Sequence, residues 1–398
     1  MNPRSLLSPA VAAPPRLALF EKGFRPFFLL GAAFALAAVP CWLLALRGGL
    51  QPGGAFGAMH WHAHEMLFGF SGAIIAGFLL TAVSNWTGRE TATGWPLAAL
   101  AALWALGRGA LFWADRLPKF LPAALDLAFL PVLALICALP LLGARNQRNY
   151  GFVGMLLSLS IANGLSHWAA LHGDGLALRS AHHAALNLIV LMMVVMTGRV
   201  VPMFTRNATK LEWVRGITLL ERCSIAAVLL LTIAELWPGA ERASTVLAII
   251  AALLLLARMR FWGTAHTFSQ PLLWILHVGT LWLPVGLLLR AAASLTPLVP
   301  VASSLHALTV GAIGSLTLGM MARVSLGHTG RLLRAAPAMN VGLGCLCAAA
   351  VLRVLAPFLP GAQYFAALTL AGLVWSSAFA LFLLSYWTIL LSPRADAR

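Results

Sequence analysis

The sequence predicts an all-α, polytopic membrane protein of twelve transmembrane helices in three pseudo-repeated groups of four, and three observations carry that prediction. Hydrophobic residues fill 61% of the 398 positions and charged residues only 10%, far from the balance of a soluble domain. Apolar runs of about 20 residues, the length that crosses a hydrocarbon core, recur along the whole chain. A histidine-led pattern also returns at fixed offsets, which is the mark of an internal repeat.

Before the first span, Leu19-Phe20-Glu21-Lys22-Gly23-Phe24-Arg25-Pro26 mixes aromatic and basic groups as a membrane interface favours. The predicted spans then lie near 27–46, 62–83, 95–115, 122–143, 150–172, 178–201, 216–237, 243–262, 271–293, 303–325, 336–356 and 364–391. This divides the chain into a cytoplasmic interfacial segment (1–26), one membrane domain (27–392) and a cytoplasmic tail (393–398).

The second span opens on Met59-His60-Trp61-His62-Ala63-His64-Glu65-Met66. Ionisable groups this dense at a membrane edge are costly and mark function. Helical spacing sets His60 and His64 on one face and His62 with Glu65 on another, so Glu65 is expected to orient His62 or to relay protons. Gly69, Gly72, Gly77 and Thr87-Gly88-Arg89 follow His64 at the offsets by which Gly311, Gly314, Gly319 and Thr329-Gly330-Arg331 follow His306. A weaker third copy starts at His182, where Met196 and Arg199 match Met320 and Arg323. The small residues Gly69, Ala73 and Gly77, like Gly311, Ser315 and Gly319, allow close approach of another helix or of a flat cofactor.

The fifth span ends near His167 and His172, the sixth begins at His182 and His183, and the tenth at His306. Together with His60, His62 and His64 they form one layer, expected to ligate haem or metal because imidazole is the common intramembrane ligand. His266, His277 and His328 form a sparser group on the opposite side. His182-His183 with Met192, Met193 and Met196 offers borderline and soft donors suited to copper. Arg199 and Arg323 lie seventeen residues beyond His182 and His306, about 25 Å along a helix, too far to hold the propionates of a haem in that layer. Asp126, Glu221 and Glu235 fall in or near spans without a counterpart in the repeat.

The net charge of +16 does not indicate nucleic acid, because the basic residues are spread over short loops. They crowd alternate loops, among them Arg89, Arg145, Arg148, Arg206, Lys210, Arg331 and Arg334. By the positive-inside rule both termini are cytoplasmic and the histidine layer faces the periplasm of a bacterial inner membrane. The five cysteines are spread over four spans with no Cys-x-x-Cys-His, so haem would be non-covalent, of b type.

Several of these stretches carry a resemblance. Gly23-Phe24-Arg25-Pro26-Phe27-Phe28, Trp61-His62-Ala63-His64-Glu65-Met66-Leu67-Phe68-Gly69-Phe70, His182-His183, Thr197 to Asn207 and Arg323 to Arg331 are similar to the NnrS family over nearly the whole chain. The resemblance implies a bacterial membrane protein with haem and copper, acting on nitric oxide in denitrification or its tolerance. The arrangement of spans is also similar to the catalytic subunit of haem-copper oxidases. That likeness would place one haem between His62 or His64 and His306 and a second metal at His182 or His183; His60 of the outer layer and His277 and His328 of the sparser group are further candidate metal ligands. The tenth span has no His-x-His pair and the seventh no histidine, so a conventional binuclear site does not follow. Three functions fit: a nitric-oxide-reducing oxidoreductase served by an unidentified electron donor, with Glu65 catalytic; a haem-based nitric oxide buffer or sensor without turnover; and a twelve-helix transporter.

Overall fold

The computed structural model describes residues 17–396, and within them the chain forms helices joined by short loops, with no strand. The helices are α1 (Phe24–Leu46), α2 (Gly54–Thr87), α3 (Gly94–Phe112), α4 (Phe120–Gly143), α5 (Tyr150–His172), α6 (Gly175–Thr209), α7 (Thr218–Ala234), α8 (Glu241–Met259), α9 (Pro271–Leu295), α10 (Val301–His328), α11 (Pro337–Leu355) and α12 (Gly361–Leu391). Ten of them are long and apolar enough to cross a membrane; α5 and α7 are not among these. The reason is local. α7 has only 17 residues, and α5 spends much of its length on Ser158, Ser160, Asn163, Ser166 and His167. Of the predicted segment 1–26, residues 1–16 lie outside the described residues, as do residues 397–398 of the predicted tail.

Neighbours in sequence pack as neighbours in space, as short loops between long helices require. The ring closes where the two ends meet. Arg25 donates to the carbonyls of Leu390 (2.9 Å) and Ser392 (2.6 Å), and the Trp375 indole donates to Ala35 O at 3.1 Å, so α12 is bound along α1. Burial separates an inner set from an outer one: 78% of the most apolar stretch of α2 and 72% of that of α10 is covered by protein, against 33% in α8. The helices that open on His60, His62 and His64 and on His306 thus belong to the centre of the bundle.

The small-residue faces predicted to bring α2 and α10 together serve other neighbours. A Cβ at Gly77 would lie 2.9 Å from Phe28 of α1, one at Gly311 2.5 Å from Trp282 of α9, and one at Gly319 2.6 Å from Ile275 of α9. These glycines admit aromatic and branched side chains of α1 and α9, and do not bracket a flat cofactor between α2 and α10.

Candidate functional site

Both central helices change their winding at the same place relative to their histidines. α2 passes into a π-helical segment at Glu65–Phe70, directly after His64, and α10 does so at Ala307–Gly314, directly after His306. Wider winding breaks the i→i−4 ladder and leaves carbonyls to be satisfied by other donors. On α2, Ser71 Oγ donates to Met66 O at 2.8 Å and the Trp104 indole to Gly69 O at 3.0 Å. α6, which carries His182 and His183, is α-helical throughout.

Around His64 the structure assembles a buried polar cluster from four helices. His64 and Glu65 come from α2, Arg108 from α3, Asp126 from α4, and Asn163 and His167 from α5; all are at most 6% exposed. His64 Nδ1 lies 3.2 Å from Glu65 Oε1, and its Nε2 donates to Asn163 Oδ1 at 2.9 Å. Asn163 Nδ2 donates to Asp126 Oδ2 at 2.8 Å, which fixes the amide with its oxygen toward His64. His167 Nε2 donates to the same Asp126 oxygen at 2.9 Å, and Arg108 pairs with Glu65 Oε1 (2.7 Å) and with Asp126. Two carboxylates therefore share one guanidinium, and the cluster lacks one positive charge. His64, Asp126 and His167 can each turn a ligand atom to within 4.8 Å of the others, all three buried. Beside them His182 Nε2 is buried without a partner, with its ring 6.2 Å from that of His64 and 5.7 Å from that of His60.

Glu65 thus serves His64 and not His62 as expected, because Arg108 draws its carboxylate to that side of α2. The role of Asp126 was not legible in the repeat. The available signal was a lone carboxylate inside an apolar span; its arginine partner on the preceding helix is a tertiary fact.

His62 turns the other way. Its ring stacks on Trp42 of α1, with centroids 4.1 Å apart, and its Nδ1 is buried without a partner, as is Trp42 Nε1. His306 donates from Nδ1 to Ala302 O at 2.6 Å, which leaves the Nε2 lone pair free, the tautomer of a metal- or haem-ligating histidine. Both rings are partly covered by the protein, and each lies within electrostatic reach of the other. The histidines therefore fall into two groups: His64 with His167, His182 and His60 on one side of α2, and His62, within electrostatic reach of His306, on the other.

The remaining predicted ligands are not brought to either site. His183 lines a separate pocket of about 350 Å³ with Arg179, Asn187, Glu235 and Arg290, since consecutive helical residues face different neighbours. His277 donates from Nε2 to Thr205 Oγ1 (2.8 Å), whose own proton goes to Val201 O, and accepts at Nδ1 from Thr264 (2.9 Å). Neither nitrogen is left for a metal. His328 packs against Phe24 at 5.8 Å, away from other imidazoles. Met192, Met193 and Met196 line a small apolar cavity of about 90 Å³ with Met320, well down the helix from His182, so a copper site of His182, His183 and these methionines is not formed.

The model for the family described as NnrS protein matches residues 18–394. No curated protein matches the chain.

Proposed function

The chain belongs to the NnrS family, and from that premise we propose that it is an integral membrane haem protein that binds nitric oxide and takes part in its detoxification or reduction. The observation that carries the haem assignment is the pair His62 and His306: one ring nitrogen buried and unpartnered, the other imidazole locked by Ala302 O with its Nε2 lone pair free. Haem held there supplies an iron that can bind nitric oxide and pass single electrons. The chain's own residues do the rest. Ala302 O fixes the tautomer of His306, Trp42 holds the plane of His62, and the apolar helices keep bulk water from the site.

Copper, the second cofactor implied by the family, fits His64, Asp126 and His167, with His182 Nε2 beside them; nitrogen and carboxylate donors of this kind suit a borderline divalent ion. In this reading the chain has twelve spans, α5 and α7 included, both termini in the cytoplasm of the bacterial cell, and an electron donor at the periplasmic face.

Protein extracted from membranes should show a Soret band and give a b-type pyridine haemochrome, and His306→Ala and His62→Ala should remove or convert the same haem signal. A colourless wild-type protein would return the chain to the transporter class.

A further inference from the structure

Arg353 stands in the last turns of α11, at the level of the α10 start: Ser303, one turn before His306, donates to Val354 O at 2.9 Å. It is 8% exposed. Arg108, Arg258 and Arg290 each meet a carboxylate from another helix, whereas Arg353 is in no ion pair among the described residues. Tyr364 of α12 approaches its guanidinium, but Nη1 is buried without a hydrogen-bond partner. A guanidinium stays charged at all working pH values, and an unpaired buried charge is strongly unfavourable. The protein around it supplies no anion.

The groups within electrostatic reach of Arg353 include both His62 and His306. Three nitrogens around this spot lack partners: Arg353 Nη1, His62 Nδ1 and Trp42 Nε1. A small inorganic anion would satisfy the guanidinium alone, whereas the free Nε2 of His306 is also a potential metal ligand. One molecule meets both demands if it carries a Lewis-acidic centre and a carboxylate at its edge. Carboxylate is also the anion that a guanidinium binds best, by two parallel hydrogen bonds.

We propose that Arg353 anchors a carboxylate of the iron porphyrin that His62 and His306 hold. The inference rests on the haem reading of those two histidines. It names the residue that Arg199 and Arg323, on the far side of the membrane, cannot replace.

The test compares wild-type protein with Arg353→Gln and Arg353→Lys in two measurements. The first is the rate at which purified holoprotein gives up haem to an excess of haem-scavenging apoprotein. The second is the affinity of haem-depleted protein for iron protoporphyrin IX and for its dimethyl ester, whose carboxylates are masked. Losing a charge-assisted hydrogen bond predicts about tenfold to a hundredfold faster haem loss in Arg353→Gln, an intermediate rate in Arg353→Lys, and preference for the free acid in the wild type that Arg353→Gln abolishes. Equal affinity of the wild type for acid and ester overturns the proposal and needs no variant to fold. So does an undiminished preference in Arg353→Gln, and in both cases the haem reading stands. Wild-type protein that takes up neither porphyrin overturns the haem reading and this inference with it.

Discussion

Asp126 shows how much one side chain can hold together inside a membrane protein. It receives hydrogen bonds from Asn163 and His167 and pairs with Arg108, tying α4 to α3 and α5. Removing one member of a buried charge network leaves its partners uncompensated, at a cost of about 3 kcal/mol. Asp126→Asn should therefore lower the thermal unfolding temperature in detergent and abolish copper binding as measured by metal analysis, while leaving the His306-dependent haem signal in place. His277→Ala provides the contrast. It deletes a buried ring held by two threonine hydroxyls, which should cost about 2 kcal/mol in stability without changing metal content or haem spectrum.

At the scale of elements, the two π-helical segments decide which way the histidines face. One residue more or less in a helix rotates everything beyond it by about 100°, so the winding of Ala307–Gly314 sets the direction of His306 relative to the rest of α10. Deleting Val310 should restore α-helical winding, turn His306 away from His62 and remove the haem signal, with helical content by circular dichroism unchanged. Retained haem in that deletion would show that the segment is not what aims the ring. The glycines of these segments recur at matching offsets from His64 and His306, but their neighbours were not legible. Offsets along one chain carry no information about which other helix approaches, and the approaching side chains are Trp282, Phe28 and Ile275.

For the whole molecule, the positive-inside bias makes a topological prediction. Reporter fusions after Leu141 and Leu211 should report cytoplasm, and those after Ala55 and Gly173 periplasm. Consistent inversion at these four points would move both histidine sites to the cytoplasmic face. The same level of the bundle holds the His64 cluster, the His62 and His306 pair and the pocket of Arg290 with Glu235. Polar chemistry is thus concentrated at one end of α2, α6 and α10, and the other end carries a more isolated pair, Glu221 with Arg258.

The sequence by itself determined the helical class, the helix positions to within eight residues at either end, and the family resemblance. Those follow from composition, apolar run length and local motifs, which are properties of contiguous residues. Only the tertiary structure decided how the histidines divide. It sent His64 to Asp126 and His167, left His62 with Trp42, gave His277 to two threonines, and set Arg353 beside His62 and His306 without an anion. The physical reason is that a buried polar atom must find a partner on another helix, and those partners lie 43 residues away for Arg108 and Glu65 and 99 for Asn163 and His64. Periodicity within one helix gives the face on which a residue lies; only packing shows what waits there.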